Sequence, residues 1–346
     1  MGDVDELTLI ERHAGRRREL AVSFPNLVAV TSLDEVPSEL DGVVVATRSR
    51  SHVELGLRAL RAGANVLIEK PMAMSLAEAT TLCDEADYRD LVLMVGHTFE
   101  FNPAVVELRR RIVAGELGDI HYIRSLRLNL GLYQGDVNVI WDLAPHDVSI
   151  VNYLLDDMPS NVTAWGHRSA SDAFEDVGML RLEYRNSNVV AYVHVSWLDP
   201  SKVREVTVVG SKKMAVYDDL KTEEPLRIYD RGVIPHPTNL HKAPMSYRYG
   251  DVTSPFINFE EPLALENGHF VEAIRNGHAT RATGASGRLV VAVLEAAERS
   301  LADGLPVDVA DLLAANPARA NESVEAADSA EPVLPATNGH GVGAVS

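Results

Sequence analysis

Five short apolar runs, LTLIE (7 to 11), LVAVT (27 to 31), GVVVAT (42 to 47), NVLIE (65 to 69) and LVLMV (91 to 95), alternate with helix-like stretches through the first hundred residues. Few folds accept that pattern. Strands separated by helices build a parallel sheet, because parallel neighbours need a crossover to bring the chain back to the same edge. Several of these runs are apolar at consecutive positions, as expected where helices cover both faces of a sheet. Between them, SHVELGLRALRAG reads as a helix closed by Gly63, and Ser75 with Glu78 forms an S-x-x-E capping box that opens the next helix.

The pattern changes near residue 97. Asn102 as N-cap and Pro103 at the first helical position start NPAVVELRRRIVAG, which ends at Gly115. Strand-like segments then dominate: DIHYIRSLRLNL, VGMLRLEY, VVAYVHVSWL, REVTVVG, MAVYD and LRIYD. Several alternate apolar with polar positions, the mark of a mainly antiparallel sheet with one packed face and one available face. Two late helices, PLALENGHFVEAIRNG and GRLVVAVLEAAERSLADG, complete an α+β domain. The expected division is a parallel α/β unit over 1–96, an α+β domain over 97–317, and a disordered tail over 318–346, rich in Ala, Ser, Pro, Gly and acids.

Charge and cysteine content remove several function classes. With 32 basic against 50 acidic residues, a net charge of −18, neither a nucleic acid nor an anionic membrane is expected as the main partner. The single cysteine, Cys83, cannot form an internal disulfide and reads as a buried helix position. No run approaches the roughly 18 apolar residues that span a bilayer, and the acidic N-terminus has no leader pattern, so the cytoplasm is the default location. The 12 histidines are scattered without an H-x-x-x-H or H-E-x-x-H helix, so no metal is expected, and no G-x-S-x-G elbow offers a serine nucleophile.

Chemistry concentrates at two places. In VLIEKPMA a strand ends in Glu69, Lys70 and Pro71 at the carboxyl edge of the sheet, where open α/β folds bind ligands. A lysine there can donate a proton or anchor a hydroxyl, and Pro71 restricts it to extended backbone. A solvated lysine at a proline turn is the alternative. In NVIWDLAPHDVSIVNYLL, Asp142 and His146 are four apart and share a helix face if the helix already includes Asp142. The dipole near a helix N-terminus favours a neutral imidazole, available as a base. An N-capping Asp142 beside a half-buried histidine is the alternative.

Taken together, VVVATRSRSHVELGLRALRAGANVLIEKPMA, GHTFEFNPAVVELRRRIVAGELGDIHYI and WDLAPHDVSIVNYLL resemble the Gfo/Idh/MocA oxidoreductases, over about residues 7 to 310. The resemblance implies a Rossmann domain for NAD or NADP, followed by a domain whose open sheet carries substrate contacts and the interfaces of a homo-oligomer, dimer or tetramer. It implies hydride transfer between the nicotinamide and a hydroxyl carbon of a sugar, cyclitol or nucleotide sugar. Carried over by motif, Lys70, Asp142 and His146 are the catalytic group. His146 would take the hydroxyl proton while Lys70 and Asp142 orient and polarise that hydroxyl. Glu11, Arg12, Thr47, Arg48, His52, Glu69 and Lys70 are the implied cofactor contacts. The run RLNLGLYQGDVNVIWDLAPHD resembles members acting on the 3-hydroxyl of a UDP-linked amino sugar, and adds Arg127, Asn129, Gln134 and Asn138 to Lys70, Asp142 and His146 as substrate contacts. A non-catalytic sugar or dinucleotide sensor is the reading from a different class.

The cofactor side departs from the family. LTLIE resembles its second strand, with Glu11 as the acid that binds a ribose 2′-hydroxyl and so favours NAD over NADP. Arg12 next to it would tolerate a 2′-phosphate. The first strand, the G-x-G-x-x-G turn and the first helix are absent from the sequence, and Arg48 stands where the family usually has proline. A start codon placed about 30 residues late, the length of such a unit, is the simpler explanation, and a genuine remnant is the other. As written, the first domain is expected to be poorly stable and to bind dinucleotide weakly.

Overall fold

The computed structural model describes residues 4–24, 27–36, 40–131, 133–170, 172–234, 246–279 and 281–318. Beyond its first residue, the tail expected from 318 lies outside them. The chain runs β1 (Thr8–Ile10), α1 (Ala14–Ser23), β2 (Val28–Val30), β3 (Gly42–Val45), α2 (His52–Arg61), β4 (Asn65–Ile68), α3 (Leu76–Tyr88), β5 (Leu93–Val95) and α4 (Pro103–Val113). It continues through β6 (Ile120–Leu130), α5 (Val139–Leu155), β7 (Asn161–His167), β8 (Val177–Tyr184), β9 (Val189–Ser196), β10 (Leu198–Gly210), β11 (Met214–Asp218), β12 (Leu226–Ile234) and β13 (Ser246–Thr253). It closes with α6 (Pro262–Asn276), α7 (Gly284–Asp303), β14 (Val307–Asp308) and α8 (Val309–Ala315).

All five expected strands of the first unit form, and every pairing among them is parallel. They make two sheets, β1-β2 and β3-β4-β5, and no described strand joins the two. Val44 of β3 is 52% exposed and Ile10 of β1 is 40% exposed. The helix starts follow their sequence signals. Ser75 Oγ accepts from Glu78 N at 3.3 Å, Glu78 reaches back to Met74 N at 3.1 Å, and Asn102 Oδ1 accepts from Ala104 N at 2.9 Å.

Nine strands form the second sheet, in the order β13-β12-β11-β10-β6-β9-β8-β7-β14. It is antiparallel except where β6 lies parallel to β9. The exception has a cause: α5 carries the chain across one face between β6 and β7, so β9 returns alongside β6 in the same direction. At Gly178 a side chain would meet Ile140 of α5 at 2.7 Å, so the glycine lets that helix lie close on β8. The opposite face is open, with Trp165 opposite Met179 and Tyr192 opposite Arg124 and Arg181, and Trp165, Met179 and Tyr192 are all exposed.

The late helices were expected with the second domain, yet they pack on the first unit as well. Phe270 and Ala273 of α6 share a core with Leu67, Val92 and Met94, and Gly287 of α7 lies against Val95 and Met72. Leu76 N, at the start of α3, donates to Glu295 of α7 at 2.8 Å. A boundary at residue 96 therefore divides the chain in sequence more cleanly than it divides the packing. This cover holds the carboxyl ends of β4 and β5 against the start of α5, which positions the site described next.

Candidate active site

Strand β4 stops at Ile68, and the Lys70–Pro71 peptide that follows is cis. The loops after β3 and β4 are tied together by buried His52, whose Nδ1 lies 2.9 Å from Pro71 O and whose Nε2 lies 3.1 Å from Thr47 O. Across from them α5 begins at Asn138, which caps it by accepting from Ile140 N and Trp141 N, each at 3.1 Å. The cap is Asn138 and not Asp142, so Asp142 lies in the first turn and shares a helix face with His146. Lys70 Nζ donates to Asp142 O at 2.9 Å and lies 4.0 Å from Asp142 Oδ1. Asp142 Oδ2 accepts from Trp197 Nε1 at 3.0 Å. Phe99 meets the His146 ring edge-on, centroids 5.1 Å apart, and His146 Nδ1 is buried without a partner.

Burial is the main cause that pulls the Lys70 ammonium down, opposed by the Asp142 carboxylate and assisted by Arg127. Burial also holds the His146 imidazole well below its usual range, reinforced by the charges of Lys70 and Arg127. The site thus pairs a cation held next to a carboxylate with a neutral imidazole. Behind it His97, 1% exposed with both ring nitrogens unpartnered, is held down to about 3 by burial and by Lys70. Because that value lies below the unfolded one near 6.5, the unfolded chain takes up this proton first as pH falls. The associated stability is present above about pH 6.5 and is lost toward pH 3. A His97→Leu chain should therefore lose about 3 kcal/mol less than the parent between pH 7 and pH 4 in urea titrations. Parallel pH curves would contradict this.

A cavity of about 630 Å³ opens beside these groups, lined by Thr47, Arg48, Arg50, Lys70, Gln134 and Asp142 among others. It brings together five of the residues expected to contact cofactor or substrate. Five other residues expected at the site have different surroundings. His52 is consumed by two backbone carbonyls, so it braces loops and does not face the cofactor. Glu69 turns onto Gly96, where a Cβ would sit 3.0 Å from its Oε2. Arg127 donates through Nε to Asp147 Oδ2 at 2.7 Å and lies over the Phe99 ring, buried behind the site and away from substrate. Asn138 is the helix cap. Asn129, half-buried near the end of β6, does not line the cavity.

Glu11 follows β1, accepts from His13 N at 2.8 Å and lies 3.6 Å from Arg16 Nε; the His13 amide is the first cause holding its carboxyl below the usual range. Arg12 is exposed beside it. Glu11 and Arg12 follow β1, while Thr47, Arg48 and Lys70 lie just beyond the carboxyl ends of β3 and β4. The sequence supplies no glycine-rich turn for a dinucleotide's pyrophosphate. Sequence reasoning missed Trp197, Phe99, His97 and Arg50, which lie far along the chain from the motifs they touch. Among the described residues, no group of three His, Cys, Asp or Glu side chains is arranged to hold a metal ion.

Residues 5–97 match the oxidoreductase family described as Gfo/Idh/MocA, NAD-binding Rossmann fold, and residues 105–216 match the C-terminal domain of the same family. A UDP-N-acetylglucosamine 3-dehydrogenase of Acidithiobacillus ferrooxidans is 30% identical over 225 residues, 65% of this chain and 69% of that one. A scyllo-inositol 2-dehydrogenase (NAD(+)) of Bacillus subtilis is 25% identical over 283 residues, 78% of each chain. A protein of gentamicin A biosynthesis, solved in complex with NAD, superposes with a TM-score of 0.71 at 25% identity, over 88% of this chain and 89% of that one. With its parallel N-terminal unit, its open mixed sheet and both halves matched, the chain belongs to the Gfo/Idh/MocA family of NAD(P)-binding oxidoreductases.

Proposed function

We propose that the chain transfers a hydride between a nicotinamide and a hydroxyl-bearing carbon of a sugar, cyclitol or nucleotide sugar, with Lys70, Asp142 and His146 as the catalytic group. The observation that carries this reading is the convergence of the Lys70 ammonium, the Asp142 carboxylate and a neutral His146 from two separate motifs. Oxidation of an alcohol removes a hydride from carbon and a proton from oxygen. When bound, the nicotinamide supplies the hydride acceptor. His146 takes the proton, and Lys70 and Asp142 hold the oxygen that loses it. In the reverse direction the same imidazole, once protonated, returns the proton to the forming alkoxide. Glu11, accepting from a ribose hydroxyl, favours NAD over NADP.

The finer substrate reading is the 3-hydroxyl of a UDP-linked amino sugar. Two features support it: the relative named for that reaction, and Arg48 on the cavity wall, whose guanidinium has no partner among the described residues and would suit a diphosphate. A non-catalytic dinucleotide or sugar sensor is the second reading. A panel of inositols, aldoses and UDP-amino sugars, followed by absorbance of reduced nicotinamide, separates the two. The expected result is turnover of the UDP-amino sugar, lost in Lys70→Ala while nicotinamide fluorescence titration still reports NAD binding. Binding without turnover across the panel would favour the sensor. The open aromatic sheet face supports a homo-oligomer, dimer or tetramer; a monomer by light scattering would count against it. Among the described residues no helix is long and apolar enough to cross a membrane, and the cytoplasm remains the proposed location.

A further inference from the structure

Trp197 is the first residue after β9 and is 1% exposed, yet no motif points to it. Its indole N–H donates to Asp142 Oδ2 at 3.0 Å, leaving Oδ1 on the side of Lys70 Nζ. Its ring lies 5.1 Å from the ring of Tyr133. Its backbone is fixed at both ends: N donates to Asp176 O at 2.9 Å, and O accepts from Gly131 N at 3.0 Å. Tyr133 in turn donates to Asp176 Oδ2 at 3.3 Å, and Asp176, fully buried, accepts from Ala170 N at 2.7 Å. Gln134, Gly135, Asp136 and Val137, directly after Tyr133, line the cavity, and Arg50 holds Asp136 O from the far side at 3.2 Å. One indole therefore touches both the carboxylate of the catalytic group and the anchor of a substrate wall.

We propose that Trp197 is a positioning residue: its N–H fixes the Asp142 carboxylate so that Oδ1 faces Lys70, and its ring seats residues 133–137 against the cavity. The inference rests on the catalytic reading of Asp142 and goes beyond it. A carboxylate held by one strong donor keeps one rotamer, whereas without that donor it is free to swing away from the reacting hydroxyl. Near-attack geometry of this kind is sensitive to displacements of about 1 Å. The two contacts of the indole should then separate kinetically, the N–H acting on turnover and the ring against Tyr133 on substrate affinity.

Trp197→Phe keeps the aromatic body and loses the N–H. In the full chain its kcat should fall roughly tenfold, the size of one lost charge-assisted hydrogen bond, with the KM for substrate and the Kd for NAD within twofold of the parent. Tyr133→Leu should raise the substrate KM several-fold with kcat nearly unchanged. In an Asp142→Ala background the further loss on Trp197→Phe should vanish. A persisting tenfold loss would show that Trp197 acts through core packing and would overturn the proposal. If Asp142→Ala lowers turnover and Trp197→Phe leaves kcat untouched, positioning fails while the catalytic reading stands; if Asp142→Ala leaves turnover unchanged, both fail. A readout independent of activity is the Trp197 indole N–H resonance, one of three in the chain. It should shift in Asp142→Ala, and an unmoved resonance would overturn the assignment.

Discussion

Replacing His146 by asparagine is expected to lower turnover by roughly a hundred- to ten-thousandfold, the range spanned by a lost general base. The side chain lies one helical turn beyond Asp142, on the same face of α5, and Asp142 and Lys70 line the neighbouring cavity. Asparagine is close in size to the ring's inner half, so the packing of Phe99 against it is only partly lost and folding should survive. NAD binding, read by nicotinamide fluorescence, should stay within about twofold, because the imidazole serves the hydroxyl and not the dinucleotide. The pH profile supplies a second check. Burial and the neighbouring cations hold the imidazole neutral to a pH below its usual 6.5. The acid limb of kcat/KM in the parent should therefore lie below that pH, and in His146→Asn it should disappear. Full turnover in the variant would remove His146 from the mechanism and leave Lys70 as the remaining proton donor.

The parts of this molecule that local physics dictates were readable from the chain itself. Alternating apolar runs gave the parallel strands, and the capping box at Ser75 and the Asn102-Pro103 start gave helix ends, whereas the proposed catalytic trio came from the family resemblance around E-K-P and D-x-x-x-H. Tertiary meetings between distant segments were not readable. Asn138 has the chemistry of a sugar ligand and also of a helix cap, and only the register of α5 decides between them. His52 follows a loop expected at the cofactor, yet its partners are carbonyls of Thr47 and Pro71. Trp197 lies 55 residues from Asp142, with no periodicity linking them. Arg127 illustrates the same ambiguity with the largest energetic consequence: an arginine on a strand near the substrate suggests a ligand contact, while its burial makes it a core group that must find a counter-charge.

That counter-charge is Asp147, and Asp147→Ala is expected to destabilise the chain by about 3 to 5 kcal/mol, the cost of leaving one partner of a buried pair uncompensated. Both side chains are nearly inaccessible, 7% for Arg127 and 2% for Asp147. The carboxylate is fully used: Oδ2 accepts from Arg127 Nε at 2.7 Å and Oδ1 accepts from Ser125 Oγ at 2.6 Å. Without it the guanidinium keeps only the face of the Phe99 ring, 4.6 Å away, which offsets a small part of the lost pairing. Desolvated charge, more than a missing contact, is what should unfold the protein, and a second variant isolates that cause. Arg127→Met combined with Asp147→Leu removes both charges and fills similar volume, so its urea midpoint should return close to the parent's or rise above it. If the double variant were as unstable as Asp147→Ala, shape and not charge would be the reason for the pair. Activity should separate this pair from its sequence neighbour. Asp147→Ala should lose turnover only in proportion to the folded fraction lost, whereas His146→Asn, one residue away, should lose turnover with its urea midpoint nearly unchanged.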